Sequence, residues 1–276
     1  MKKLRGSVKY IVTILICIVF LFPIAWALVC SIKPEIDITS YPPKWIPEVA
    51  TLSNYLQVLE KYPYLSWMKN SLITSVTGTV LILILSSLAA YALARYKFRG
   101  RNIIYGTIVA MLLIPIQAYM IPLYLLCSKI GLLNTYAGII LPSVANVTSI
   151  FILTSFFKGL PTELEEAARI DGCGEFRIFL QIMLPLSKPA LSTVTILTFI
   201  ANWNSFLWPM ICIRQDELKT LPVGIAQFMG SVNSNAQFQY GTSLAGCCIA
   251  VIPTLIVYLL LQKHFVEGIA SSGIKG

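Results

Sequence analysis

The 276-residue chain is 57% hydrophobic and 12% charged, with a mean hydropathy of +0.76, whereas soluble domains carry about a quarter charged residues; a soluble fold is excluded. The net charge of +9, from 21 Lys and Arg against 12 Asp and Glu, lies in short clusters between apolar runs, which argues against nucleic acid and for loops that orient a membrane protein. The seven cysteines have no zinc-like spacing and the single histidine, His264, has no ligand set around it, so no metal site and no histidine-centred catalysis is expected.

The first apolar run, 10–29, follows Lys2, Lys3, Arg5 and Lys9 as a signal peptide would. It exceeds the usual apolar stretch of about 7–15 residues, and Ala27-Leu28-Val29-Cys30 is a poor cleavage site; a retained helix is expected. Runs long enough to span a bilayer, about 20 residues each, fall at 10–32, 71–96, 103–128, 136–157, 186–213 and 241–262. The expected fold is an all-α integral membrane protein of six transmembrane helices, one domain over residues 1–276. Pro115, Pro122, Pro142, Pro209 and Pro253 lie inside these runs and should kink or unwind them, which a bundle tolerates where neighbours satisfy the freed backbone groups.

The first loop, 33–69, carries Pro34, Pro42, Pro43, Pro47 and Pro63 with Tyr41, Trp45, Tyr55, Tyr62, Tyr64 and Trp67. Prolines stiffen it and the aromatics suit a membrane interface; docking of an external partner is the other reading. Lysine and arginine crowd the alternate loops: the N-terminus, Arg95 to Arg101, Lys158 to Lys188, and Lys263 with Lys275. By the positive-inside rule both termini are expected in the cytoplasm.

The fourth and fifth runs are joined by a cytoplasmic loop, 158–185. Thr162 and Glu165 have capping-box spacing, and Glu163, Glu165 and Glu166 would sit in the first turns, where the helix dipole favours negative charge. Gly172 and Gly174 allow a turn before a second helical stretch. A helix-turn-helix protrusion follows, and on these residues alone a docking element and a plain linker fit equally well.

Polar groups at membrane depth are costly unless they line a cavity or pair with another helix. Gln117, Asn146, Asn202 and Asn204 are such groups, and with Trp203 they offer the amides and aromatic face that hold sugars. Interhelical hydrogen bonding accounts for the same residues. Ionisable groups are nearly lacking inside the six runs, which disfavours an ion-coupled transporter, and no acid or histidine cluster supports a membrane enzyme.

The segment Glu166-Ala167-Ala168, with Gly172 and then Ile182, Leu184 and Pro185, resembles the EAA motif of ABC importer permeases and lies before the next-to-last helix, as the motif does in that family. The whole chain, including 202–209 and the glycine-rich tail 268–276, is similar to maltose-permease G-type subunits of carbohydrate importers. The resemblance implies that Glu166, Ala167, Ala168, Asp171, Gly172, Ile182, Leu184 and Pro185 couple to an ATPase, with Glu166 making polar contacts and Ala167 and Ala168 packing in a cleft. It implies that Gly273, Lys275 and Gly276 reach between two ATPase subunits, although a frayed terminus fits the tail as well. It further implies a bacterial plasma-membrane complex with a second homologous permease, two ABC ATPases and an extracytoplasmic solute-binding protein. The chain has no phosphate-binding glycine loop, so it should bind no cofactor itself, ATP and Mg belonging to the partner subunits.

Overall fold

An apolar chain in lipid must satisfy its backbone within its own segments, and helices do this. The structure, a computed structural model, describes residues 2–230 and 239–273. Among them the chain forms α1 (Lys2–Ser31), α2 (Glu35–Ile38), α3 (Ser53–Lys61), α4 (Tyr64–Arg95), α5 (Arg101–Ala110), α6 (Ile116–Lys129), α7 (Tyr136–Val144), α8 (Val147–Gly159), α9 (Glu163–Ile170), α10 (Glu175–Ile178), α11 (Leu184–Leu186), α12 (Lys188–Trp203), α13 (Leu207–Cys212), α14 (Leu221–Gly230) and α15 (Tyr240–Gly273).

Three helices are long and apolar enough to cross a membrane unbroken, within α1, α4 and α15, and the count rises to 6 if each of three bent pairs is one span. The bends are 103° between α5 and α6, 41° between α7 and α8, and 78° between the Glu175–Leu186 segment and α12. Of the prolines expected to kink or unwind helices, Pro115 stands at a break, in extended conformation at the head of α6. Pro122, Pro142, Pro209 and Pro253 lie inside helices that continue through them. The α7–α8 bend comes instead at Asn146, whose side chain caps α8 by accepting from the Ser149 amide at 2.9 Å. The break thus loses less than an uncapped one, since the cap satisfies a donor that would otherwise be orphaned at a helix start.

The chain divides into two compact units, residues 1–66 with 223–252, and residues 67–222 with 253–276. In the first, loop polar groups finish the helix ends. Glu35 accepts from the amides of Tyr240 and Gly241 at 2.7 and 2.9 Å, a carboxylate at the positive end of α15. Asn54 donates to the carbonyls of Ser31 and Lys33 at the end of α1. Tyr64 is buried and donates to the Gly246 carbonyl at 2.6 Å. The aromatics of the first loop therefore divide: Tyr64 and Trp67 are core residues, while Tyr41 and Trp45 are exposed. Trp45 packs edge-on against Trp26 of α1 at 5.1 Å.

In the second unit, Tyr91 of α4, Leu153 and Phe157 of α8, Ala168 of α9, Phe179 and Val194 share one apolar core. A second cluster joins Cys127, Ile139, Trp208, Cys212 and Ile213.

Candidate functional site

The loop between α8 and α12 takes its shape from α9, whose residues alternate sharply between core and surface. Glu165 and Ala168, three residues apart and on one face, are buried at 2% and 6% exposure, while Ile170 is 86% exposed. Leu164, Glu163, Glu166 and Ala167 complete the outward face. The helix stops at Asp171, and Gly172 takes φ +80°, the left-handed turn that glycine adopts without steric cost. The second stretch, α10, continues through a π-helical turn, Phe179–Met183.

Thr162 does not form the capping box that its spacing with Glu165 suggests: its backbone is helical and its side chain makes no capping bond. Glu165 is engaged elsewhere. Its Oε1 lies 2.6 Å from Nε of Arg95, the last residue of α4, with both side chains less than a tenth exposed. Arg95 also donates through Nη2 to the carbonyl of Leu160, which ends α8, at 2.8 Å. The Tyr91 hydroxyl stands 3.5 Å from the other Glu165 oxygen, and Arg169 reaches the same oxygen at 3.4 Å.

A second, half-exposed ring of charge lies beside it. Arg169 donates to both oxygens of Glu175, at 2.6 and 3.2 Å, and the Tyr96 hydroxyl donates to Glu175 at 2.9 Å. The Arg169 hydrogen bond, helped by Tyr96, holds the Glu175 carboxyl below the usual carboxylate range. The Tyr96 phenol is pushed up, first by burial and then by its bond to Glu175.

The expected coupling residues are thus of two kinds. Glu166, Ala167, Asp171, Gly172 and Pro185 are exposed. Ala168 is in the chain's own core, with Ile182 and Leu184 partly buried against it, so Ala168 is not free to fill a partner's cleft as expected. Ala168 shares that core with Tyr91 of α4 and with Leu153 and Phe157 of α8. Sequence reasoning does not single out Arg95, Glu165, Tyr91, Tyr96 and Glu175 as a group; an arginine ending an apolar run beside two tyrosines is the signal that could have found them. Gly273 is the last residue of α15, and Lys275 and Gly276 lie outside the described residues.

The five polar and aromatic residues expected along a substrate path do not converge. Asn146 caps α8, Trp203 is buried and stacked on Phe199 at 5.8 Å, Asn204 ends α12, and Gln117 is exposed on α6. Asn202 faces a cavity, with Thr74, Tyr119, Ser143, Ser205 and Trp208 among its lining, and that cavity holds about 80 Å³. Sites for small molecules occupy about 300–1,000 Å³. This cavity by itself is too small to enclose a sugar.

Three long apolar helices and three bent apolar pairs, up to six spans in all, are those of a multi-pass membrane protein. The chain belongs to the binding-protein-dependent transport system inner membrane component family, whose pattern matches residues 82–271. It is 36% identical over 265 residues, 95% of this chain and 93% of the other, to the arabinooligosaccharides transport system permease protein AraQ of Bacillus subtilis. It is 35% identical to the trehalose/maltose transport system permease protein MalG of Thermococcus litoralis, covering 99% and 98% of the two chains. Among solved structures, a bacterial ABC transporter involved in import of the acidic polysaccharide alginate superposes with a TM-score of 0.85 at 28% identity, over 95% of this chain and 97% of that one.

Proposed function

We propose that this chain is one of two permease subunits of an ATP-driven carbohydrate importer, and that the outward face of α9 is where it receives the stroke of a cytoplasmic ATPase. The observation that carries the reading is that three apolar side chains of the loop carrying the EAA-like residues, Leu164, Ile170 and Phe176, are 43, 86 and 67% exposed, with Glu163 and Glu166 exposed on the same short helix as the first two. Apolar side chains so exposed on a polar loop mark a surface that a partner covers. The face is also held from behind by the Arg95–Glu165 pair, so it can take force without collapsing.

In this reading Ile170, Leu164 and Ala167 enter a cleft on the ATPase and Glu166 makes a polar contact at its rim. Gly172 shapes the turn, while Ala168, Ile182 and Leu184 seat the loop on the membrane helices, and Asp171 and Pro185 stand exposed at the turn and at the end of the loop. By the same likeness, Gly273, Lys275 and Gly276 would contact the ATPases. The loop and both termini lie in the cytoplasm, following the lysine and arginine bias, in a bacterial plasma membrane. ATP and Mg are bound by the two ATPases, and an extracytoplasmic solute-binding protein delivers the sugar. Closure of the ATPases moves the docking helices and alternates access by rigid-body rotation.

The test is copurification of tagged permease with its ATPases in detergent. Ile170→Asp and Glu166→Lys should each reduce the recovered ATPase at least tenfold while leaving permease yield unchanged, since both side chains are exposed. Full recovery of ATPase with both variants would sink the assignment.

A further inference from the structure

Glu165 and Arg95 do more than the docking face requires. Neither is exposed, and both are charged. Taking a carboxylate and a guanidinium out of water costs several kcal/mol per ion, and a buried pair is no better for stability than well-packed apolar residues of the same volume. Stability alone does not account for keeping this pair at the joint between α9 and the end of α4.

The helix it grips runs far. α4 is an unbroken helix of 32 residues, about 48 Å at 1.5 Å per residue, and it is tied at three levels. At one end Arg95 holds Glu165 of α9 and the Leu160 carbonyl that ends α8. Midway, Gly78 lies so close to Asn202 of α12 that a Cβ would stand 3.0 Å from its amide nitrogen. That nitrogen donates to Thr79 at 3.5 Å, and Thr74 lines the same small cavity as Asn202. At the other end Asn70 donates to the carbonyls of Glu217 and Lys219 at 2.7 and 2.9 Å, and Ser71 accepts from the Leu221 amide at 2.7 Å. One rigid element therefore touches the docking helix, the cavity wall and the opposite loop.

We infer that α4 is the connecting rod of this subunit and that the buried Arg95–Glu165 pair is its pin, so that displacement of α9 becomes displacement of the cavity wall at Thr74, roughly 30 Å along the helix. Arg95 and Glu165 are positioning residues; they touch no solute and no ATPase. A desolvated ion pair suits a pin because α9 cannot tilt on α4 without separating the charges in a poorly solvated place, where separation is expensive. Apolar contact alone would let the two helices slide. The inference rests on the docking function proposed above for α9.

The test uses the full complex of permeases and ATPases with Thr74→Cys in this chain, reading the alkylation rate of the introduced thiol by site-resolved mass spectrometry with and without ATP and orthovanadate. The parent, carrying Thr74→Cys alone, should show at least a fivefold change in rate on trapping nucleotide. Adding Arg95→Met with Glu165→Met removes both charges at similar volume and should fold; the expected result is unchanged ATPase recovery and continued ATP hydrolysis, with the thiol's response reduced below twofold. The single changes Arg95→Met and Glu165→Gln should give less folded permease than the double, because each alone strands a buried charge or its partner. A double variant that responds like the parent, a parent with no response, a double that loses its ATPases, or singles as well folded as the double would each overturn the inference. If the unaltered chain recovers no ATPase at all, it is the docking assignment that has failed instead.

Discussion

Gly138 and Gly241 show how little room some single positions leave. A Cβ on Gly138 would lie 2.1 Å from the Leu132 carbonyl oxygen, and one on Gly241 2.6 Å from the Asn54 side chain. The first contact is backbone and cannot yield; the Gly138 carbonyl also accepts from Trp208 at 2.9 Å. Gly106, by contrast, has nothing within 4 Å of its would-be Cβ. Gly138→Ala should therefore lose about 3 kcal/mol or more and Gly241→Ala about 1–3 kcal/mol, while Gly106→Ala should gain up to about 1 kcal/mol from helix propensity. Thermal unfolding of the three variants in one detergent checks the order, and equal midpoints would contradict the packing. Glu175 provides a pH test at the same scale. Its carboxyl is held below the ordinary range by Arg169, so the pair stabilises the fold above the unfolded value and is lost as pH falls through the folded one. Both side chains are over two-fifths exposed, so the effect is small. Acidifying from pH 7 to pH 3 should lower the melting midpoint of the parent more than that of Glu175→Gln; an identical drop would show that the pair contributes nothing.

Among the elements, α8 and α9 make a useful contrast, because each begins with a residue of capping type and one cap is formed. Asn146 accepts from the Ser149 amide at 2.9 Å and from its hydroxyl at 2.7 Å; Thr162 makes no capping bond. Asn146→Ala should cost about 0.5–2 kcal/mol, and Thr162→Ala should stay within about 0.5 kcal/mol. Thermal midpoints that fall equally would refute the difference. The same contrast shows what is legible in the sequence. The apolar runs, the acidic start of α9 and the turn at Gly172 are written in neighbouring residues, and all three appear in the structure. The purpose of Glu165 is not local: its partner Arg95 is 70 positions earlier, and a carboxylate three residues after a threonine reads as a cap until that arginine is in place. Asn146 is ambiguous for a related reason. A polar residue within an apolar run signals a cavity or a helix start equally well, and only the bend between α7 and α8 decides.

For the whole molecule, what it leaves uncovered is as informative as what it buries. From Tyr10 to Ile24 every residue of α1 is exposed, and only 11% of the most apolar window of α15 is buried; lipid and a second permease are the surfaces that cover such helices in the proposed complex. The interior offers the complementary lesson. A cavity of about 80 Å³ beside Asn202 is well below the roughly 300 Å³ at which ligand sites begin, yet its lining of hydroxyls, an amide and two aromatic side chains has the chemistry for a sugar. One wall of a shared chamber would look like this, with the rest supplied by the second permease. The purified chain alone should therefore show no heat of binding by calorimetry with arabinooligosaccharides, maltose or trehalose at millimolar concentration. Within the two-permease complex Asn202→Ala should weaken solute uptake about tenfold, roughly 1.4 kcal/mol, without altering ATPase recovery. Binding of sugar by the isolated chain would mean that the site is complete within it, and unchanged uptake in Asn202→Ala would place the sugar on the second subunit alone.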